Sequence, residues 1–377
     1  MRIGIDATPI LGDRGGVGWH TYHLLKALLD LKDNDGRVEF VAYVRPGALN
    51  TYAADLEPFK AAEAAGRLRW VEAGKFGMRW RGRMDGLDLY HGTNFKMRTS
   101  GRFGGVVTVH DLWLDRYPQY STKLLGQRAS FYRTKRTAWR ARRVITVSEA
   151  SARDIESLYG LPRNRIAVIP NAVSDDFCPL QDPDGPAQVR RRFGLPTDRF
   201  ILFVGGADPR KNHRALLRAC AQRADRLSDY CLVLVGDVQH RFGDMMETAR
   251  GLGLESHVVC PGRLSLADLR LLYSQATVFV FPSIYEGFGM PVLEAMACGA
   301  PVITSNSTSL PEVAGDAALL VDPENVEALG DALQRMVEDA ALQATLRAKG
   351  FERVKGFTWD RSARLTMNLY RELCAVV

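Results

Sequence analysis

The 377-residue chain is 46% apolar and 25% charged, with 34 Gly, 17 Pro and a formal net charge of +7. That length and composition set aside a small stapled scaffold, wholesale disorder and fibrous architectures, and allow two soluble domains, each with its own core. A basic balance is compatible with nucleic acid, an anionic membrane or an acidic substrate, so where the charge lies matters more than its total.

Short apolar runs alternate with longer helical patterns, which predicts parallel sheets built from βαβ units. In the first half, strands are expected at Arg2–Asp6, Glu39–Val44, Gly105–His110, Val144–Val147 and Ile166–Ile169. The segment Leu11-Gly12-Asp13-Arg14-Gly15-Gly16-Val17-Gly18-Trp19 joins the first strand to a helix expected near Trp19. It offers backbone donors to an anion. It does not match G-x-G-x-x-G, however, and no acidic residue closes the second strand, which disfavours a nicotinamide dehydrogenase. His110, in Val109-His110-Asp111, and His91, in Tyr90-His91-Gly92, end candidate strands. Ligands gather at the carboxyl ends of parallel strands, so both are candidates for a site. A buried histidine satisfied by a backbone partner is the plain alternative.

From Lys123 to Arg143 there are eight Lys/Arg and no Asp or Glu. At helical spacing Arg128, Arg133, Lys135, Arg136, Arg140, Arg142 and Arg143 share one half of the wheel with Tyr132 and Trp139, a pattern suited to anionic lipid. A solvated basic face is the simpler reading, and none of the usual nucleic-acid recognition motifs is present. Residues 1–170 hold 28 Lys/Arg and 17 Asp/Glu, leaving 22 and 26 for the rest. The segment 123–143 alone accounts for the whole positive excess.

The proline-rich stretch Pro179-Leu180-Gln181-Asp182-Pro183-Asp184-Gly185-Pro186 cannot extend a helix or a central strand, and it sets the expected boundary. The domains are then 1–178 and 199–356, with 179–198 as linker and 357–377 as a terminal helical segment.

In the second half, strands are expected at Phe200–Val204, Cys231–Val235, His257–Cys260, Val278–Phe281 and Pro301–Thr304. After the first of these come Gly205, Gly206, Asp208, Pro209 and two adjacent cations, Arg210 and Lys211, at the start of a helix. Cations are disfavoured at a positive helix end by some tenths of a kcal/mol, so an anion such as a diphosphate is the natural complement. After Phe281 comes a loop with Glu286, Gly287, Phe288 and Gly289; a helix then opens around Met290 and Pro291 and stops at Gly299. Glycines admit a ligand close to backbone N–H groups, and the helix start aims further donors at the same point. Glu286 and Glu294 could flank one ligand and accept hydrogen bonds from sugar or ribose hydroxyls. An ordinary βα turn is the bland alternative.

Six cysteines carry no C-x-x-C pair and no metal-ligand spacing with the seven histidines, and read as buried thiols of a reducing compartment. No run approaches the roughly 18 apolar residues of a membrane span. The opening Met1-Arg2-Ile3-Gly4-Ile5-Asp6 reads as a strand rather than a signal peptide. The expected location is cytoplasmic, peripheral to the inner membrane face if segment 123–143 meets lipid.

The segments Phe203–His213, Glu286–Glu294 and Pro301–Asp316 resemble the donor half of retaining glycosyltransferases of the GT-B fold, family 4. Gly15-Gly16-Val17-Gly18, His110-Asp111-Leu112, Val147-Ser148-Glu149 and Ile169-Pro170-Asn171 extend the resemblance through the first half. The similar subgroup is bacterial mannosyltransferases that build O-antigen or other surface polysaccharides. The resemblance implies an α/β fold of two Rossmann-like, doubly wound parallel-sheet domains facing a cleft, with the terminal helix crossing back to the first. It implies a nucleotide-diphosphate sugar, GDP-mannose before UDP-glucose or another UDP-sugar, as substrate rather than cofactor. The acceptor would be a glycan or lipid-linked saccharide.

It also implies roles. Arg210 and Lys211 would neutralise the diphosphate, beside Gly206; the backbone of Gly287, Phe288, Gly289 and Met290 would bind phosphate or sugar; Glu286 would hold sugar hydroxyls and Glu294 the ribose. His110 would approach the reacting carbon, and Gly15 and Gly16 would close over phosphates or acceptor. No Asp-x-Asp metal motif is present, so two cations and a helix start would stabilise the leaving group. A sugar-nucleotide epimerase of the same fold would need an acid/base pair instead, and a non-catalytic nucleotide-sugar binding protein is the third reading.

Overall fold

The computed structural model describes residues 1–31, 38–74, 77–121, 124–180, 184–240 and 243–375. The chain divides into two compact units, Met1–Asn171 with Thr358–Val377, and Ala172–Phe357. The sequence boundary in the proline-rich stretch therefore falls too late. Moreover, much of 179–198 is structured: Gly185–Phe193 is a helix with Val189 buried, and Leu180 N–H donates to Ser274 Oγ at 3.2 Å.

In the first unit seven parallel strands are β1 (Arg2–Asp6), β2 (Glu39–Val44), β3 (Leu68–Glu72), β4 (Leu89–Gly92), β5 (Gly105–Thr108), β6 (Arg143–Thr146) and β7 (Ile166–Val168), ordered β3-β2-β1-β4-β5-β6-β7. The helix Gly16–Asp30 buries Leu24, Leu25, Leu28 and Leu29 against β1 and β2, at the spacing of one helical face. The closing helix, Trp359–Ala375, places Ala363, Met367, Tyr370 and Leu373 in the same core. His91 fixes it there: its Nδ1 lies 2.6 Å from Tyr370 Oη and its Nε2 2.7 Å from Thr108 Oγ1. Both ring nitrogens are engaged internally, so His91 is a structural bridge rather than a site residue.

In the second unit β8 (Phe200–Val204), β9 (Cys231–Val235), β12 (Val258–Gly262), β13 (Val278–Phe281), β14 (Val302–Ser305) and β15 (Ala318–Val321) form a six-stranded sheet, ordered β12-β9-β8-β13-β14-β15. A small antiparallel ribbon, β10 (Gln239–His240) and β11 (Gly243–Asp244), lies outside it. β9 and β13 are buried throughout, as expected of central strands covered on both faces. β15, at the edge, is half exposed, and it escaped the sequence reading because its alternation is weak.

The basic helix spans Leu124–Arg140 and stops before the end of the charge run. Lys123 lies outside the described residues, as does the Arg128 side chain. Arg142 and Arg143 do not join the basic face: Arg142 Nη1 donates to Phe103 O and Leu373 O (3.1 and 3.2 Å), and Arg143 pairs with Glu372 at 3.1 Å. Arg133, Arg136, Arg140, Tyr132 and Trp139 remain exposed. Of the cysteines, Cys178, Cys260 and Cys374 are only partly buried. Among the described residues no helix is long and apolar enough to cross a membrane.

Candidate functional site

In the second unit the strand order reverses between β8 and β13, and each runs into one of the glycine-containing loops. Such a switch point opens a crevice beyond the carboxyl ends of the strands. Gly205 and Gly206 donate to Val235 O at 3.0 and 3.2 Å, which turns the β8 loop tightly over β9. Asp208 then accepts from Arg210 N–H at 3.0 Å, and its other oxygen lies 3.2 Å from Arg210 Nε. Asn212, in the left-handed region at φ 59°, donates to Pro282 O (3.1 Å) and Pro323 O (2.7 Å), and Ile284 N–H donates to Arg210 O at 2.8 Å. These bonds tie the two loops into one platform.

On that platform Lys211 Nζ sits 2.6 Å from Glu286 Oε1, with both side chains largely buried (13% and 8% exposed). Burial by itself would raise the Glu286 carboxyl; the charges of Lys211 and Arg210 outweigh it and hold the group below the usual carboxylate range. Burial lowers Lys211 from the usual ammonium range, with the charge of Glu286 opposing that shift. Glu286 N–H donates to Thr308 Oγ1 at 3.1 Å, and Ser309 Oγ lies 2.9 and 2.8 Å from the carbonyls of Glu286 and Phe288. Beyond them the helix Met290–Ala297 starts at Gly289, with Pro in its first turn and no side-chain cap. Its leading N–H groups and positive dipole end stay available to an anion.

Glu294, one turn into this helix, accepts from Tyr273 Oη at 3.1 Å. Burial pushes its carboxyl up to about 7, against the opposing effects of Tyr273 and Lys211. The sign of the consequence is fixed. From 4.5 up to about 7 the folded chain holds a proton that the unfolded chain has released, so the stability this proton confers is complete below about pH 4.5 and lost as pH rises through 7. Glu294→Gln cannot titrate, and is expected to gain about 3 kcal/mol relative to the wild type between pH 4.5 and 8. Urea unfolding across that range measures it; a pH-independent difference would remove the assignment.

In the first unit the helix begins at Gly16 with Gly15 as its N-cap, ahead of the expected start near Trp19. Gly15 has ordinary backbone geometry and open space where a Cβ would stand; Gly18 instead is needed for packing, since a Cβ there would lie 2.7 Å from Pro9 O. Arg14 is held by Asp55 at 3.0 Å. His110 is buried, with Nε2 donating to Thr93 O at 2.8 Å, and burial lowers its basicity. It is thus neutral, and Nδ1 carries the lone pair. One turn into the helix, His20 stands edge-to-face against His110, ring centres 4.7 Å apart, with Nδ1 2.7 Å from Asn171 Oδ1.

The structure thus brings Arg210, Lys211, Glu286, Gly206, Gly287, Phe288, Gly289, Met290 and Glu294 to one end of the second sheet, and Gly15, Gly16 and His110 belong to the first unit. Sequence reasoning missed Tyr273, Thr308, Ser309, Asn212 and His20. The polar run Asn306–Ser309 directly after β14 was a signal for two of them; Tyr273 lies on another helix and gave none.

Two family models match the chain: "Glycosyltransferase Family 4" over residues 14–177 and "Glycosyl transferases group 1" over residues 187–353. The chain is 33% identical, over 76% of its length and 74% of the relative's, to the O-antigen chain mannosyltransferase B of Escherichia coli. It is 32% identical over 64% of its length to the serotype-specific mannosyltransferase WbdA of Escherichia coli, of which the match covers only 30%. Sucrose-phosphate synthase from Thermosynechococcus elongatus superposes over 100% of both chains with a TM-score of 0.72 at 24% identity, which is a likeness of fold.

Proposed function

The chain belongs to the group 1 glycosyltransferases, and from that premise we propose that it transfers mannose from GDP-mannose, with retention of anomeric configuration, to a glycan or lipid-linked acceptor of a surface polysaccharide. The observation that carries the reading is the buried Lys211–Glu286 pair at the β8/β13 switch point, beside a helix start that no side chain caps.

Breaking the bond between the anomeric carbon and phosphate leaves positive character on the sugar and negative charge on the diphosphate. Arg210, Lys211 and the N–H groups at Phe288–Met290 stabilise that leaving group in this reading, and preorganised donors of this kind act most strongly in a water-poor site. Glu286, kept ionised by Lys211, accepts from sugar hydroxyls. Glu294 accepts from the ribose. His110 offers Nδ1 to a sugar hydroxyl, and being neutral it does not repel the developing cation. The Gly15–Gly16 helix start contacts phosphate or acceptor. Attack occurs on the face the phosphate leaves, and the departing phosphate takes the acceptor's proton. Glu286 is not cast as a nucleophile, because its charge is already engaged by Lys211 at 2.6 Å. The donor is a substrate, and the leaving group is supported by side-chain and backbone charge without a metal. The exposed Arg133, Arg136 and Arg140, with Tyr132, support a peripheral contact with anionic lipid on the cytoplasmic face.

The test is a panel of nucleotide sugars assayed for thermal stabilisation and slow hydrolysis, with and without EDTA. GDP-mannose should raise Tm and be hydrolysed, unaffected by chelation. Hydrolysis of a UDP-sugar with none of GDP-mannose would reassign the donor, and loss with EDTA would reassign the leaving-group chemistry.

A further inference from the structure

His20 is 4% exposed and sits in a group of buried imidazoles. The Asn171 side-chain carbonyl oxygen accepts from its Nδ1 at 2.7 Å, which fixes the tautomer with the proton on Nδ1. Nε2 is then a bare lone pair, buried and with no hydrogen-bond partner among the described residues. The ring meets His110 edge-to-face at 4.7 Å and Trp359 at 5.9 Å. His110 in turn is oriented by Thr93 O.

We propose that the Asn171–His20 pair is a positioning element for the transfer reaction: it packs His110 into its productive orientation and, by staying uncharged at contact distance, keeps positive charge away from the sugar as the sugar itself becomes positive. The inference rests on the role given to His110 above. Its logic lies in the identity of residue 171. A carboxylate bonded to Nδ1 would favour the imidazolium strongly, whereas the amide oxygen orients the ring and opposes only part of the lowering by burial and His110, so the basicity of His20 stays well below the ordinary histidine value. The other titratable groups near the pair act in the same sense: His110, His91 and His23 disfavour protonation of His20, and burial is the largest cause of all. Among the described residues Asp111 is the acidic neighbour acting on His110, where it opposes the larger effect of burial.

Asn171→Asp is isosteric and supplies the missing negative charge. In the variant, His20 is expected to titrate near neutrality, so kcat falls at least tenfold between about pH 8 and pH 6 while the KM for donor stays within about twofold. The wild type should show no such acid limb. Side-chain 15N NMR of the histidines gives a readout independent of activity: in the wild type His20 stays neutral with the proton on Nδ1 across this range, and in Asn171→Asp it charges. A kcat profile in Asn171→Asp that overlays the wild type, or an unchanged His20 titration, overturns the proposal. Full activity in His110→Ala would defeat the role of His110 itself; loss in His110→Ala alongside a wild-type profile in Asn171→Asp would defeat only the positioning role.

Discussion

Lys211→Met is expected to lower kcat/KM for transfer by about 100- to 1000-fold, the loss typical when one preorganised donor to a developing negative charge is removed. The same change leaves the Glu286 carboxylate at 8% exposure without its partner at 2.6 Å. Stranding one member of a buried pair costs about 3–5 kcal/mol of stability, so the variant should also melt earlier. A scaffold role and a catalytic role therefore predict the same direction, and the double variant separates them. Lys211→Met with Glu286→Gln removes both charges, so stability should return towards the wild type. Activity should not return. Non-additive stability with no recovery of turnover is the expected pattern, measured by denaturant unfolding and single-turnover transfer on the wild type, Lys211→Met, Glu286→Gln and the double variant. A double variant that regained both would make the pair a structural bond only.

How much of this was legible in the sequence depends on the physical range of each signal. The β8 and β13 strands, the two cations and the Glu286–Glu294 segment are local patterns, and each appears where the sequence places it. Strand β3 was not, because Leu68–Glu72 carries its charges at Arg69 and Glu72, three positions apart on a half-exposed strand, which is the spacing of a helix face. The helical wheel over 123–143 failed at its end for a related reason. It assumed one uninterrupted helix, whereas the chain leaves the helix after Arg140 and enters β6 at Arg143; Arg142, just before that strand, and Arg143 bond to the terminal helix. The contacts that organise the site were the least readable. Lys211 and Glu286 are 75 positions apart, and His20 and Asn171 are 151 apart. Nothing in residue type or spacing says that they meet: the reversal of strand order sets the loops after β8 and β13 side by side, whereas β1 and β7, which precede His20 and Asn171, are not neighbours in their sheet, and the chain leaving β7 must return to the first helix.

Gly289→Ala is the second large expected effect, and it tests the helix start rather than the charges. Gly289 sits at φ 107°, outside the regions that residues with a Cβ favour, and a Cβ there would lie 2.6 Å from Leu310 Cδ2. The backbone strain costs roughly 1–2 kcal/mol. Leu310 is fully buried, so its retreat adds to that. The chain is expected to relieve the strain by turning the Gly289–Met290 peptide, which redirects the N–H groups aimed at the anion. Donor affinity should fall at least tenfold, by about 1.4 kcal/mol or more, as read by calorimetric titration with GDP. Adding Leu310→Ala removes the clash without changing φ. If affinity stays low in that double variant, the peptide orientation is what binds; full recovery would assign the effect to packing. Gly251→Ala, at the end of the helix Met245–Gly251 and outside the site, is the internal contrast, since its φ is not in the left-handed region and nothing lies within 4 Å of the added methyl. That variant should bind GDP within about twofold of the wild type, because neither strain nor contact opposes the methyl. Equal losses in Gly289→Ala and Gly251→Ala would mean that GDP affinity is not governed by the geometry at Gly289.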